Sequence, residues 1–130
     1  MIVLDIHIWI WWVHGDARLP PAYQKFLSEH ETEGLGISII SCWEVAKLVE
    51  YGRLTFRLSV EDWLDQARSY PGIRLLDPTP RIVVESTQLP GNFHRDPADQ
   101  LIVATARVLN CTLMTVDEKI ARYPHVQILS

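Results

Sequence analysis

Four acidic side chains occupy positions from which they could form one site. Asp5, Glu44 and Asp117 each follow a predicted strand within a few residues, and Asp99 lies in the first turn of a predicted helix. Carboxylates that converge on one edge raise one another's pKa, and a divalent cation removes that penalty. Because an all-oxygen ligand set suits Mg²⁺ or Mn²⁺, with water completing the octahedron, these acids are candidate ligands for a phosphoryl-transfer metal.

The helix that carries Asp99 has a strong start signal of its own. Asp96 is placed as the N-cap, Pro97 as the first helical residue and Asp99 as the third. An apolar stripe follows at Leu101, Ile102, Thr105, Val108 and Leu109. Taken alone, this segment is an ordinary helix N-terminus, so the metal-site hypothesis depends on the other three acids.

The hydrophobic pattern predicts five strands that alternate with helices. The strands are expected at residues 2–4, 35–40, 73–76, 111–115 and 126–129. Residues 6–13 fit either a helix or an extension of the first strand, and we predict a helix. Further helices are expected at residues 20–31, 42–51, 59–70, 79–88, 97–109 and 117–123. Such alternation predicts an α/β fold whose parallel sheet is covered by helices on both faces, with function at the carboxyl ends of the strands.

The third predicted helix has signals at both of its ends. Ser41 and Glu44 have the spacing of a reciprocal capping box, and Gly52 is suited to a left-handed residue just after the helix. These signals predict that the helix starts at Cys42 and ends at Tyr51.

Length and cysteine usage indicate the general class of protein. The 130 residues, 48% of them hydrophobic, suit a single domain spanning residues 1–130. Cys42 and Cys111 stand alone in apolar segments without Cys-x-x-Cys spacing, so buried thiols are expected rather than a disulfide or a zinc site. That usage is typical of a reducing compartment.

The N-terminus and the net charge limit the function further. The apolar first residues contain Asp5, lack a basic region and a cleavage site, and are too short to span a bilayer, so we expect a soluble cytoplasmic protein without membrane contact. A net charge of −4 argues against a protein that coats nucleic acid through a broad basic surface. It does not exclude an enzyme that holds a phosphodiester through metal ions.

Five short segments carry a family resemblance, and they occur in a fixed order at residues 2–5, 38–46, 52–54, 94–106 and 113–117. Together they resemble the PIN-domain nucleases, in particular the VapC-type toxins of toxin–antitoxin pairs. The resemblance implies a Mg²⁺- or Mn²⁺-dependent endoribonuclease with a three-layer α/β/α sandwich. Its acidic residues match Asp5, Glu44, Asp99 and Asp117. Asp96 matches a recurrent fifth acid that supports the site or caps the helix.

One position departs from the family pattern. Family members often have Thr after the first Asp, whereas this chain has Ile6. A hydroxyl that could orient Asp5 or a metal-bound water is therefore missing at that position.

Other polar and aromatic residues have alternative roles. Arg53, Arg57 and Arg95 could contact RNA phosphates or be solvated loop cations. His7 and His94 are expected to be structural hydrogen-bonding residues, since imidazole is not a preferred Mg²⁺ ligand. Four tryptophans are expected in the core or at an interface rather than stacked on bases: Trp9, Trp12, Trp43 and Trp63.

The resemblance also implies partners, namely an RNA substrate and a small antitoxin that covers the acidic cleft with a helix or tail and an arginine. The early segment with Trp9, Trp11, Trp12, Tyr23 and Phe26, and the helix from Trp43 to Tyr51, contain many large apolar side chains. They predict a docking surface for the antitoxin or a homodimer, unless the core accommodates them.

Two other functional classes share parts of this pattern. A receiver-type signalling domain would use Asp77 as phosphoacceptor, but it also needs a second acid beside Asp5 and a lysine after the last strand, and Ile6 stands beside Asp5. An inactive binding module with the same fold would not require the acids to be intact.

Overall fold

A parallel sheet of five strands runs through the middle of the protein. In the computed structural model, which describes residues 1–129, the strands are β1 (Ile2–Leu4), β2 (Leu35–Ser38), β3 (Ile73–Leu76), β4 (Thr112–Met114) and β5 (Ile128–Leu129). Their order is β3-β2-β1-β4-β5, and every neighbouring pair is parallel. The central strand β1 therefore ends between β2 and β4, with Asp5 as the next residue.

Helices connect the strands, as the alternating pattern predicts. They are α1 (Ile6–His14), α2 (Pro21–His30), α3 (Ile39–Glu50), α4 (Val60–Arg68), α5 (Pro80–Ser86), α6 (Pro97–Val108) and α7 (Glu118–Ala121), with a 3₁₀ turn at Glu31–Glu33. Residues 6–13 are helical, as predicted, and Gly52 adopts φ +69° just after α3. Helices α5 and α7 end earlier than predicted, at Ser86 and Ala121.

Two apolar clusters lie on opposite faces of the sheet. Ile2 and Leu4 belong to one cluster, with α1, α2 and α4, whereas Val3 belongs to the other, with α6 and α7. Successive side chains of a strand point to opposite faces, so β1 contributes to both clusters. The result is the three-layer α/β/α sandwich that the sequence predicts.

The predicted start of α3 is wrong. Strand β2 ends at Ser38, opposite Leu76, and Ser38 caps α3 by accepting the Ile40 N–H at 3.2 Å. Ser41 is instead buried inside the helix, and its Oγ has no hydrogen-bond partner within residues 1–129. The β-branched pair at positions 39 and 40 fits a strand or a helix equally well, and the length of the partner strand β3 determines where β2 stops.

The cysteines are less deeply buried than predicted, and the tryptophans are divided between the core and the surface. Both cysteines are free thiols, but each is half-buried rather than fully buried. Trp9 and Trp63 lie in the core, one of the two predicted places, whereas Trp43 is 52% exposed, so the predicted interface is the alternative that remains for Trp43. Within residues 1–129, no helix combines the length and apolar character needed to cross a membrane.

Candidate active site

Asp5 is fixed at the carboxyl end of β1. Its backbone N–H donates to the Met114 carbonyl of β4 at 3.0 Å, which extends the sheet pairing by one residue. Its Oδ1 accepts the Ile6 N–H at 2.8 Å and so caps α1. The side chain is buried, with 4% of the residue exposed, and this burial raises the pKa of Asp5 although the hydrogen bonds to its carboxylate lower it.

Thr115 joins Asp5 to Asp117. The Thr115 hydroxyl donates to Asp5 Oδ2 at 2.8 Å and accepts the Asp117 N–H at 3.0 Å. Asp117 in turn caps α7, since its Oδ1 accepts the Lys119 N–H at 2.8 Å. Two of the predicted acids are therefore held by one buried hydroxyl that the sequence analysis did not single out. Thr115 therefore supplies to Asp5 the hydroxyl that Ile6 lacks.

Glu44 projects from α3 and is half-buried. Its Oε1 is inaccessible to solvent and has no hydrogen-bond partner within residues 1–129. Burial, followed by the charges of Asp5, Asp99 and Asp96, raises the pKa of Glu44 to about 8. A buried carboxylate oxygen without a partner is costly, so this atom is suited to accept a cation or a proton.

Asp99 is the third residue of α6, and its side chain is 17% exposed. Burial, followed by the charges of Asp5, Asp96 and Asp117, raises its pKa to about 7. Asp96 is the N-cap: its Oδ1 accepts the Asp99 N–H at 3.1 Å, while the residue itself is exposed. The predicted cap at Asp96 is confirmed.

The charges of neighbouring acids contribute to the raised pKa values, which indicates that these acids lie near one another. Asp5 and Asp96 act on both Glu44 and Asp99, and Asp117 acts on Asp5 and Asp99. Within residues 1–129, no three acidic, histidine or cysteine side chains form a ready-made cage around a single point. Mg²⁺ usually keeps several waters and needs only one or two carboxylates, so the shared negative charge and the unpartnered Glu44 oxygen fit such an ion.

Within residues 1–129, neither His7 nor His94 forms a hydrogen bond with the side chain of one of these acids. His94 Nε2 lies 3.1 Å from Asp99 Oδ2, but the alignment is too poor for a hydrogen bond, and this buried nitrogen has no partner within residues 1–129. His94 Nδ1 accepts the Asp96 N–H at 3.4 Å, a weak bond in keeping with a structural role. His7 is exposed, and its charge lowers the pKa of Asp5.

The candidate RNA-contacting arginines lie on the surface. Arg53 follows α3 and Arg95 precedes the cap of α6; both are exposed, and within residues 1–129 neither side chain forms an ion pair or a hydrogen bond. Asp77 follows β3, which is an edge strand separated from β1 by β2. The alternative acceptor site is therefore away from the acid cluster.

A separate cleft of about 700 Å³ lies beside the C-terminal end of α1, the segment 55–58 and α4. Phe56 stacks on Trp63 with ring centres 4.4 Å apart, and Trp63 Nε1 donates to His14 Nε2 at 2.7 Å. Val13 and Leu58 complete its apolar lining. Of the early aromatic residues, Trp9 is fully buried, whereas Trp11, Trp12, Tyr23 and Phe26 are only partly covered.

Comparisons with known proteins agree with this fold. The family model of the PIN domain matches residues 2–126. The chain is 34% identical over 124 residues to Ribonuclease VapC22 of Mycobacterium tuberculosis (strain ATCC 25618 / H37Rv), which covers 95% of this chain and 92% of that protein.

Solved structures with the same fold are more distant in sequence. VapBC2 from Rickettsia felis, bound to a DNA fragment from its promoter, has a TM-score of 0.72 at 20% identity and covers 99% of this chain and 98% of its own. DNA-bound VapBC from Salmonella typhimurium has a TM-score of 0.69 at 18% identity, covering 98% and 96%. FitAcB from Neisseria gonorrhoeae has a TM-score of 0.67 at 21% identity, covering 100% and 97%.

Proposed function

This chain belongs to the PIN-domain family, and on that premise we propose that it is a metal-dependent endoribonuclease, the toxin of a type II toxin–antitoxin pair acting in the cytoplasm. The relative that is 34% identical is named a ribonuclease. The observation that carries the proposal is that Glu44 and Asp99 are half-buried beside other acids at the carboxyl edge of the sheet; burial, followed by the neighbouring charges, raises the pKa of Glu44 to about 8 and that of Asp99 to about 7. A stable fold gains nothing from such charges unless a ligand compensates them.

The ligand that fits is Mg²⁺ or Mn²⁺. Asp5, Glu44, Asp99 and Asp117 would hold it, because their oxygens are hard donors of the kind these ions prefer. Asp96 is the fifth candidate; it is exposed and caps α6, and its charge adds to the negative charge beside the ion. When bound, the ion lowers the pKa of water and neutralises charge on the phosphodiester.

The residues of the chain position the reaction. Thr115 keeps the Asp5 carboxylate in one orientation, so the first acid does not have to be ordered when substrate arrives. Glu44 is the proposed proton acceptor for the attacking water, since its pKa of about 8 lies near neutral pH, as suits a general base. In the proposed step water attacks phosphorus, the P–O3′ bond breaks and the 3′-oxygen leaves as a hydroxyl, so the products carry a 5′-phosphate and a 3′-hydroxyl and no covalent enzyme intermediate forms.

Arg53 and Arg95 are the proposed contacts to RNA phosphates. Both guanidinium groups are exposed and unpaired within residues 1–129, so they can bind phosphate without giving up another contact. Arg95 directly precedes Asp96, which places it beside the acids along the chain.

The antitoxin would occupy the apolar cleft between α1 and α4. Leu58 is 40% exposed there, and the stacked rings of Phe56 and Trp63 form a rigid floor for an amphipathic helix. An arginine from the same partner would pair with the acids and replace the cation. One solved structure with the same fold, from Klebsiella pneumoniae, is described as a toxin–antitoxin complex, which supports a partner of this kind.

A homodimer would use a different surface. Ile39 and Trp43 on α3 and Val83 and Val84 on α5 are between 40% and 52% exposed, and both helices pack against α6. Burying these side chains against a second copy removes apolar surface that a monomer leaves in water.

The test of the proposed activity is cleavage of mixed RNAs by the purified chain, with Mg²⁺ or Mn²⁺ and with a chelator. We expect cleavage only when the cation is present. Cleavage that persists unchanged in the chelator would contradict the metal-dependent mechanism, and no cleavage of any RNA with either ion would contradict the nuclease.

A further inference from the structure

A polar cleft lies near the amino ends of the strands, whereas the acids lie at the carboxyl ends. It has a volume of about 330 Å³ and is bordered by α5, the last turn of α6 and the residues that lead into β4 and β5. Helix α6 connects the two places: Asp99 is in its first turn and Arg107 in its last. Eight residues of α-helix separate the two places by roughly 12 Å along the helix axis.

Arg107 is held rigidly in this cleft. Its Nε donates to Glu85 Oε1 at 3.0 Å, and its Nη1 donates to the His125 carbonyl. The side chain is 28% exposed. A guanidinium has five N–H donors, so three of them are left beyond these two bonds. A planar donor group that is already oriented loses little conformational entropy when it binds a phosphate.

The remaining charges of the cleft favour an anion. Arg81 lines it, is exposed and forms no ion pair within residues 1–129. The acid in the lining is Glu85, and its Oε1 is taken by Arg107. Two arginines against one carboxylate make this cleft positive on a chain whose net charge is −4. Asn110 and Gln127 add amide groups that can donate hydrogen bonds.

We propose that this cleft binds a backbone phosphate of the RNA strand, a few nucleotides from the bond cut at the acids. The inference rests on the proposed function, since it assigns a second contact to the same substrate. A phosphate group could also come from a free nucleotide, and the two sources share the same chemistry of arginine forks on phosphate oxygens. A strand has the advantage that its other phosphates reach other cations on the surface.

Binding can be measured without cleavage. Backbone amide signals of the ¹⁵N-labelled protein are followed by NMR in a chelator during titration with inorganic phosphate, a 5′-mononucleotide or a short single-stranded RNA. We expect the signals of Asn110, Cys111 and Gln127 to shift with RNA at lower concentration than with the two small probes. Unmoved signals with RNA, or tighter binding of the mononucleotide than of the RNA, would overturn the proposal.

The variant Arg81→Gln tests the same cleft without disturbing the Arg107–Glu85 pair. We expect roughly two- to fivefold weaker RNA binding and a slope of log K against log salt that is smaller by about 0.7, the value for one phosphate contact on a single strand. Arg68→Gln, on α4 and outside the cleft, is the matched control and should change neither quantity. An unchanged salt slope in Arg81→Gln overturns the cleft proposal while RNA cleavage persists, whereas loss of the proposed function shows as absence of cleavage in the unaltered protein.

Discussion

The Thr115 hydroxyl donates to Asp5 Oδ2 at 2.8 Å across 110 residues of sequence. Thr115 Oγ1 also accepts the Asp117 N–H. One buried side chain therefore sets the positions of acids that follow two neighbouring strands, β1 and β4. A hydroxyl in this place stabilises the ionised form of Asp5 against the effect of burial.

Replacing Thr115 with valine removes this bond at nearly constant volume. We expect metal-dependent RNA cleavage to fall about 10- to 100-fold, the range typical of partners that orient metal ligands. The pKa of Asp5 should rise, because the lost bond lowered it. Steady-state cleavage rates across pH measure both effects. Thr115→Ser keeps the hydroxyl and should restore most of the activity; equal rates for the valine variant and the unaltered protein would show that the bond has no role.

Three of the four candidate acids have a local signal in the sequence. Asp5 directly follows a short apolar strand, Asp117 follows another within three residues, and Asp99 follows a cap and a proline. Thr115 has no such signal, since its partner is distant in the chain and only the pairing of β1 with β4 brings them together. The Thr-x-Asp spacing at the end of β4 was the one clue available.

The start of α3 shows a second limit. Ser38 and Ser41 are both plausible caps, and Glu44 three residues after Ser41 favoured the wrong one. The structure assigns the cap to Ser38 because β2 has partners only as far as Leu76, and tertiary pairing takes precedence over local capping signals. Glu44 lies inside α3 with either start of the helix.

Stability of the metal-free protein should depend on pH. The folded-state pKa of Glu44 is raised to about 8 and that of Asp99 to about 7, above their unfolded values of 4.5 and 3.8. At pH values between the unfolded-state pKa and the folded-state pKa of these two acids, the native state binds more protons than the unfolded state. The free energy of unfolding therefore falls as pH rises from about 4 to about 8. Urea denaturation at a series of pH values measures this trend.

Saturating Mg²⁺ should reduce that fall, because the cation compensates the charges that form at high pH. Glu44→Gln should also flatten the profile, since the variant cannot ionise at this position. A profile in which the metal-free protein gains stability between pH 5 and 8 would contradict the raised pKa values.

The chemistry of the cut ends distinguishes two mechanisms. Attack by water with cleavage of the P–O3′ bond leaves a 5′-phosphate and a 3′-hydroxyl, and we expect these ends on every product. Ligation of adaptors specific for each end, followed by sequencing, identifies them. Ends that carry a 2′,3′-cyclic phosphate would indicate attack by the ribose hydroxyl, and the role given to Glu44 as proton acceptor for water would then be wrong.

The cleft between α1 and α4 is testable as the antitoxin seat. Leu58→Glu puts a charge on its apolar lining, and we expect the complex with the product of the neighbouring small reading frame to weaken while RNA cleavage persists. Leu75→Glu is the matched control, because Leu75 is 37% exposed, close to the 40% of Leu58, and lies outside the cleft. Calorimetric titration measures both affinities. Equal weakening by the two substitutions would argue against this seat.

The most direct test of the account compares Asp99→Asn with Asp62→Asn. Both aspartates are the third residue of a helix. The Asp99 N–H donates to the side chain of its cap Asp96 at 3.1 Å, and the Asp62 N–H donates to the side chain of its cap Ser59 at 3.1 Å. The two substitutions therefore have similar effects on helix capping, and only Asp99 lies among the acids. With Mg²⁺ or Mn²⁺ and mixed RNA, we expect cleavage by Asp62→Asn at the rate of the unaltered protein and loss of cleavage, by a factor of about 100 or more, in a folded Asp99→Asn. Metal-dependent cleavage that Asp99→Asn retains in full would contradict the assignment of the acid cluster as the active site.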